Sequence, residues 1–113
     1  MKHSLITITL VFAAALAATA FPAAAADKDA GRKIFEAQCA ACHGPDAKTP
    51  TDPSYPILAG QYSDYLGVSL AKYQSGERKN AIMSGIAKAL SKRDIENLSG
   101  YLSTLPGPLT HRR

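Results

Sequence analysis

The stretch Cys39-Ala40-Ala41-Cys42-His43 decides how this 113-residue chain folds and what kind of group it can hold. It joins two thiols and an imidazole at a spacing typical of c-type haem attachment. Cysteines three residues apart share one helical turn, so both sulfurs can reach one porphyrin edge while the next residue turns its imidazole toward the iron. The motif predicts one covalent haem c, bound through Cys39 and Cys42, with His43 as an axial ligand.

Three other uses of a Cys-x-x-Cys pair have to be weighed. A redox dithiol normally starts the first helix of a βαβ unit, and no strand pattern precedes Cys39. A zinc site needs a fourth ligand, and the histidines outside the motif, His3 and His111, lie near the two ends. A local disulfide would close a loop too short to add much stability and would leave His43 without a role. A haem-free thiol or metal-binding protein is therefore the least favoured alternative.

The N-terminus has the pattern of a secretory signal peptide. Lys2 supplies a positive start, residues 4–26 carry no charge, and Ala24-Ala25-Ala26 offers a small-residue cleavage site before Asp27. The alternative is an uncleaved membrane anchor, because a run of this length could span roughly 30 Å of hydrocarbon. The second half of the run is mostly alanine and only weakly hydrophobic, which favours cleavage. We expect residues 1–26 to be removed and the mature chain to be periplasmic, with no membrane segment.

The mature chain, residues 27–113, is long enough for one small domain and no more, since 26 of 113 residues are lost. A domain of this size buries a limited core, and a haem would give its helices an apolar surface to pack on. Loss of Lys2 lowers the formal net charge from +4 to +3. No stretch is basic enough for nucleic-acid binding. Six cations could surround an exposed haem edge and steer an acidic redox partner: Lys72, Arg78, Lys79, Lys88, Lys92 and Arg93.

The first half of the mature chain predicts one helix and one long loop. The helix is capped by Asp27 or Asp29, runs to about Ala40 and carries the haem motif at its end. Residues 44–56 contain four prolines, which exclude a regular element. We expect this segment to be a loop that crosses one face of the haem.

The second half predicts further helices and no strand, so the chain should be all-α. One helix begins near Ser63 and ends at Gly76, and a short helical piece over residues 80–82 leads into the segment of Met83. The last helix begins at the capping pair Ser91 and Asp94 and ends before the short C-terminal tail, residues 106–113.

In this order and at these spacings, the chain resembles the small class I cytochromes c of bacteria, including the single domains of tandem dihaem proteins. The resemblance covers nearly all of residues 29–105 and rests on Gly31, Phe35, Cys39-Ala40-Ala41-Cys42-His43-Gly44, Pro56, Leu58, Gly60-Gln61, Tyr65-Leu66, Gly76, Arg78, Met83, Leu90-Ser91, Leu98 and Tyr101. It implies three to five short helices around one haem, with the first and last helices crossing where Gly31 and Phe35 meet Leu98 and Tyr101.

The function that the resemblance implies is that of a monohaem, low-spin carrier of single electrons between a donor and an acceptor protein, without catalysis of its own. The alternative is a dedicated haem subunit of a dehydrogenase complex, such as a flavoprotein or a molybdenum enzyme. In either case Arg78 is the cation that we expect to pair with a haem propionate.

Two more residues are assigned on the same grounds. The second axial ligand would be Met83, the one methionine of the mature chain, which lies ahead of the final helix where similar proteins carry the ligand. A lone methionine is otherwise a filler of core gaps, and His111 in the tail is a rival ligand. In similar cytochromes the carbonyl of the proline that corresponds to Pro56 accepts a hydrogen bond from the ring of His43 and orients it.

Overall fold

The computed structural model describes residues 22–110, and this part of the chain contains five helices and no strand. The helices are α1 (Lys28–Gln38), α2 (Ala40–His43), α3 (Ser63–Ser75), α4 (Ala81–Lys88) and α5 (Lys92–Ser103). The all-α prediction is confirmed. Two predictions concern residues outside the described range: most of the signal peptide, and His111 as a rival ligand. No helix between residues 22 and 110 has the length and apolar character that crossing a bilayer would require.

The helices α1 and α5 cross in close contact, as the resemblance implies. A Cβ atom at Gly31 would lie 2.1 Å from the carbonyl oxygen of Asn97, so only a hydrogen atom fits between the two backbones. One turn further along α1, Phe35 is fully buried and its ring centroid is 5.9 Å from that of Tyr101. Leu98 belongs to the same core. The crossing therefore joins the two ends of the domain.

Several helix ends follow directly from local sequence. Asp27, rather than Asp29, caps α1 and accepts a hydrogen bond from the backbone N–H of Ala30. At the start of α5, Ser91 and Asp94 form a complete capping box. Helix α3 ends at Gly76, whose φ of 79° is a left-handed conformation that favours glycine. These ends were all predicted.

Two elements differ from the sequence-based prediction. The first helix ends at Gln38 rather than Ala40, and the motif forms a turn of its own in which the carbonyl of Cys39 accepts from the N–H of Cys42 and of His43. The helical piece expected over residues 80–82 is the eight-residue helix α4, which includes Met83. The extent of α4 cannot be predicted from local sequence, because its C-terminal end carries no glycine cap. A side chain from α3 donates hydrogen bonds to the carbonyls at this end instead.

The long segment between α2 and α3 is irregular, as its prolines predict, and it is well anchored. The carbonyl of the buried Ala47 accepts hydrogen bonds from the backbone N–H groups of Leu58 and Ala59. The carbonyl of Leu102 in α5 accepts from the N–H of Gly60. A Cβ at Gly60 would meet Thr110, so the described part of the C-terminal tail packs on this segment.

Candidate functional site

A largely apolar cavity of about 410 Å³ lies between the haem motif, the 44–62 segment and helices α3, α4 and α5. Its volume falls in the range of cofactor-binding sites. Eight aliphatic side chains contribute to its wall: Ile57, Leu58, Leu66, Leu70, Ile82, Ile86, Leu98 and Leu102. The cavity also receives all six site residues predicted from the sequence, namely Cys39, Cys42, His43, Pro56, Arg78 and Met83. The fold thus brings together residues that lie up to 44 positions apart in the chain.

His43 is held in one orientation within this cavity. Its side chain is buried, and its Nδ1 lies 2.9 Å from the carbonyl oxygen of Pro56. A carbonyl oxygen only accepts, so Nδ1 must carry the proton and donate it. The unprotonated nitrogen is then Nε2, which is the form of imidazole that ligates a metal. The contact between His43 and Pro56 that the resemblance implies is present.

The two cysteines lie on the cavity wall and are not bonded to each other. Burial, and to a lesser extent the neighbouring Cys42, raises the pKa of the Cys39 thiol to about 11. Cys39 is partly buried and packs against the core, where an uncharged thioether sulfur is readily accommodated.

Met83 reaches the cavity from a different element, the short helix α4. Its backbone N–H donates to the side-chain oxygen of Asn80 at 3.0 Å, and that contact caps the helix. Met83 is only partly exposed and packs against the core. An imidazole and a thioether therefore line one cavity from two separate parts of the chain.

Arg78 is the one of the six expected cations that lines the cavity. Its guanidinium lies over the ring of Tyr73 at 4.8 Å from the centroid, and its Nη1 is 3.2 Å from the hydroxyl oxygen of Ser69. Both contacts come from α3 and hold the planar group in place. The guanidinium is thus a positioned cation at a largely apolar cavity.

Two of the other expected cations make local pairs instead. Lys72 forms a salt bridge of 2.8 Å with Glu77, and Arg93 pairs with Glu96 at 3.2 Å. Arg93 also donates to the backbone carbonyls of Ala24 and Ala25. These pairs reduce the positive charge that the surface presents to a partner.

Sequence reasoning missed the residues that position the predicted site. Asn80 carried a findable signal, because asparagine is a favoured N-cap and a helix follows it. Tyr73 and Ser69 repeat at helical spacing, but nothing in the sequence places them beside Arg78. Gln74 had no local signal, since its two backbone acceptors lie 13 and 16 residues away.

The chemistry of the cavity fits a haem. Its wall is largely apolar, as a porphyrin requires, and the two sulfurs could attach a porphyrin while the imidazole and the thioether could ligate its iron. A guanidinium is available for a propionate at the same cavity. These are the groups that a covalently held haem with two protein ligands needs.

Comparison with known proteins gives a consistent result. The family model for cytochrome c matches residues 28–106. Cytochrome c-554(547) of Halothiobacillus neapolitanus is 35% identical over 92 residues, which cover 72% of this chain and 99% of that protein. The thiosulfate dehydrogenase electron acceptor of Thiomonas intermedia (strain K12) is 42% identical over 69 residues, which cover 61% of this chain and 32% of that protein.

A similar solved structure is that of reduced recombinant cytochrome c4 from Pseudomonas stutzeri. It superimposes with a TM-score of 0.64 at 33% identity, over 73% of this chain and 51% of that one. The chain thus spans nearly all of one relative but only about a third to a half of others. Fold, motif and cavity lead to one conclusion, that the chain belongs to the cytochrome c family and is an electron carrier with a single covalent haem c.

Proposed function

We propose that this protein is a periplasmic carrier of single electrons whose haem is attached through Cys39 and Cys42 and whose iron is ligated by His43 and Met83. The observation that carries the proposal is the meeting of these four side chains at one apolar cavity. Both sulfurs of the motif, the oriented imidazole and the only methionine among residues 27–113 are used.

The proposed ligand pair determines what the site does. The haem supplies a one-electron couple between ferrous and ferric iron. Met83 provides a soft thioether, which favours the ferrous state relative to a second imidazole and raises the reduction potential. Pro56 holds His43 through Nδ1, and that hydrogen bond fixes the ring and increases its basicity. With both axial positions filled by protein groups, the site suits electron transfer rather than the binding of a substrate to iron.

Arg78 has a separate role in the proposal. Its guanidinium, held by Tyr73 and Ser69, pairs with a haem propionate. A positioned arginine offers a charge-assisted hydrogen bond to a carboxylate, and two such bonds when the geometry is bidentate. This contact would help to hold the haem in its cavity and would add a positive charge near it.

Export is part of the proposal, because covalent haem attachment takes place outside the cytoplasm in bacteria. We propose that residues 1–26 are removed and that Asp27 is the first mature residue. This position suits the fold, since cleavage there would leave the cap of α1 intact. Intact mass and N-terminal sequence of the protein isolated from a bacterial periplasm test it. We expect a chain starting at Asp27, and a protein that retains residues 1–26 in the membrane fraction would contradict it.

The ligand assignment is tested by the visible spectrum. The protein matured with haem in a periplasm should show a six-coordinate, low-spin spectrum in both oxidation states. The variant Met83→Ala should change to a five-coordinate or water-ligated spectrum and should bind added imidazole readily. An unchanged spectrum in Met83→Ala would overturn the axial assignment alone, whereas absence of covalent haem would overturn the whole proposal.

A second candidate function is that of a partner dedicated to one dehydrogenase. It is favoured by the 42% identity to an electron acceptor of thiosulfate dehydrogenase. Rapid mixing of the oxidised protein with a thiosulfate dehydrogenase and thiosulfate tests it. Fast reduction together with stable copurification would favour the dedicated partner. A flavoprotein or molybdenum dehydrogenase that copurifies with the protein would point to another enzyme of the same class, whereas a free monomer that reduces an oxidase would favour the general carrier.

A further inference from the structure

The side-chain amide of Gln74 makes two hydrogen bonds that the proposed function does not use. Its Nε2 lies 2.7 Å from the carbonyl oxygen of Ala87 and 2.6 Å from that of Leu90. The two N–H groups of one amide are enough to donate one bond to each acceptor. Gln74 belongs to α3, and the two carbonyls lie at and just beyond the C-terminal end of α4. One side chain thus ties the end of α4 to α3.

The C-terminal end of α4 also packs on the core. Helix α4 is eight residues long, and Ala87, near this end, is its one buried residue. Leu90, just beyond the end, is buried in the same core. An isolated helix of this length is unstable in water, so it depends on contacts with the rest of the protein. Ile82, Met83 and Ile86 line the haem cavity, and Met83 also packs against the core. The two hydrogen bonds from α3 thus add a directional contact to an end that apolar burial also holds.

The N-terminal end of α4 is fixed in a different way. Asn80 caps the helix through the N–H of Met83, and the four residues from Glu77 to Asn80 separate this end from the left-handed Gly76. The C-terminal end is joined to α5 by residues 89–91 and is connected to α3 by the two hydrogen bonds from Gln74. Helix α3 itself is held in the core by Leu66 and Leu70.

We infer that Gln74 is a positioning residue for the axial ligand Met83. Gln74 acts on Met83 by fixing the C-terminal end of α4, which holds the thioether in position to ligate the iron. Ligation by a mobile helix would cost more conformational entropy. This inference rests on the proposed ligation by Met83. It does not make Gln74 a ligand or a residue that touches the haem.

Competition with an added ligand measures the effect. Imidazole titrated into the oxidised holoprotein must displace Met83, so its apparent dissociation constant reports how firmly Met83 is held. Two hydrogen bonds of ordinary net strength correspond to about a tenfold change in an equilibrium constant. We expect Gln74→Ala to lower the apparent dissociation constant for imidazole by about tenfold. Gln74→Glu, which keeps the shape and removes both donors, should do the same if the alanine variant folds poorly.

Two control variants separate positioning from general destabilisation. Asn97→Ala removes a side-chain to backbone hydrogen bond of 2.8 Å between α5 and the start of α1, a contact that does not involve α3 or α4. It should lower thermal stability and leave imidazole affinity unchanged. Gln74→Lys restores a donor of sufficient length and should recover most of the original affinity.

The outcomes are distinct. If Gln74→Ala and Gln74→Glu leave imidazole affinity unchanged, or if Asn97→Ala raises it equally, the inference about Gln74 is overturned. If Met83→Ala itself leaves imidazole affinity unchanged, the assignment of Met83 as a ligand is overturned, and the inference about Gln74 loses its premise. The inference is supported if Met83→Ala binds imidazole tightly, Gln74→Ala binds it with intermediate affinity, and Gln74→Lys returns to the original affinity.

Discussion

At the scale of the single residue, the side chains of the site are common ones, and their neighbours in the fold determine how each of them is held. His43 carries its proton on Nδ1 because a carbonyl oxygen from Pro56 can only accept. Burial raises the pKa of the Cys39 thiol. Arg78 is held on the cavity wall by an aromatic ring and a hydroxyl group. In each case a neighbour from another part of the chain selects one state of a residue that has several.

Arg78 is expected to influence the reduction potential. Reduction adds an electron to the haem, so a nearby positive charge favours the reduced state. We predict that Arg78→Gln lowers the reduction potential by on the order of tens of millivolts, because it removes one positive charge near the haem. Arg78→Lys keeps the charge and should change the potential much less. A potentiometric titration checks both variants, and equal decreases in the two would show that the charge is not the cause.

At the scale of the element, two glycines within helices have opposite surroundings. Gly31 lies at the crossing of α1 and α5, where a Cβ would be 2.1 Å from a backbone oxygen that cannot rotate away. Gly85 lies in α4 with nothing within 4 Å of the same position. The first glycine is required by a close approach of two backbones, and the second lowers helix stability without a visible compensating contact.

The two glycines form a matched pair for mutation. We predict that Gly31→Ala destabilises the holoprotein by about 3 kcal/mol or more, because the helices must move apart. Gly85→Ala should stabilise it by about 0.5–1 kcal/mol, because alanine restricts the unfolded chain and favours the helix. Denaturant unfolding followed by circular dichroism measures both. A Gly31→Ala protein as stable as the original would contradict the close crossing.

The capping box of α5 makes a pH-dependent contribution to stability. Hydrogen bonds from the Ser91 hydroxyl and backbone N–H hold the pKa of Asp94 below its ordinary value. The ionised form is therefore favoured in the folded state, so its contribution is complete above about pH 5 and is lost as pH falls through the lowered pKa. We predict that Asp94→Asn lowers the melting temperature at pH 7, and that the difference from the original protein shrinks toward pH 2. Thermal melts across that range test the sign, which a difference that grows on acidification would contradict.

At the scale of the whole molecule, the cofactor occupies the place where a larger protein would have its core. The cavity of about 410 Å³ separates α3, α4 and α5 from the segment that follows the motif. Without the haem, this solvent-accessible space would expose its aliphatic lining to water, at a cost of roughly 25 cal/mol per Å² of apolar area. Small domains have a free energy of unfolding of only about 5–15 kcal/mol. The haem is therefore as much a structural group as a redox group.

Loss of haem attachment should accordingly unfold the protein. We predict that the double variant Cys39→Ala with Cys42→Ala, isolated without haem, loses most of its helical circular dichroism at 25 °C and unfolds without a cooperative transition. The single variant Cys39→Ala, in which Cys42 still attaches the haem, serves as the control and should remain folded. A cooperative melt of the haem-free double variant would show that the helices pack without the cofactor.

The sequence by itself determined the family, the haem motif and most helix ends. These depend on short-range chemistry: the spacing of Cys39, Cys42 and His43, the capping box at Ser91, and the left-handed turn at Gly76. Neighbours in sequence are neighbours in space over such distances, so a pattern of residue types is enough. The resemblance to a family then supplied Pro56 and Met83 as candidates from more distant parts of the chain.

Only the tertiary structure decided how far α4 extends, what holds Arg78 at the cavity and what holds the site together. Helix α4 ends where Gln74, more than ten residues earlier, reaches its carbonyls. Arg78 is distinguished from the other cations by Tyr73 and Ser69, whereas Lys72 and Arg93 are engaged by carboxylates. Such contacts depend on how the helices pack. Because long-range packing is the sum of many weak contacts, no single stretch of sequence encodes it.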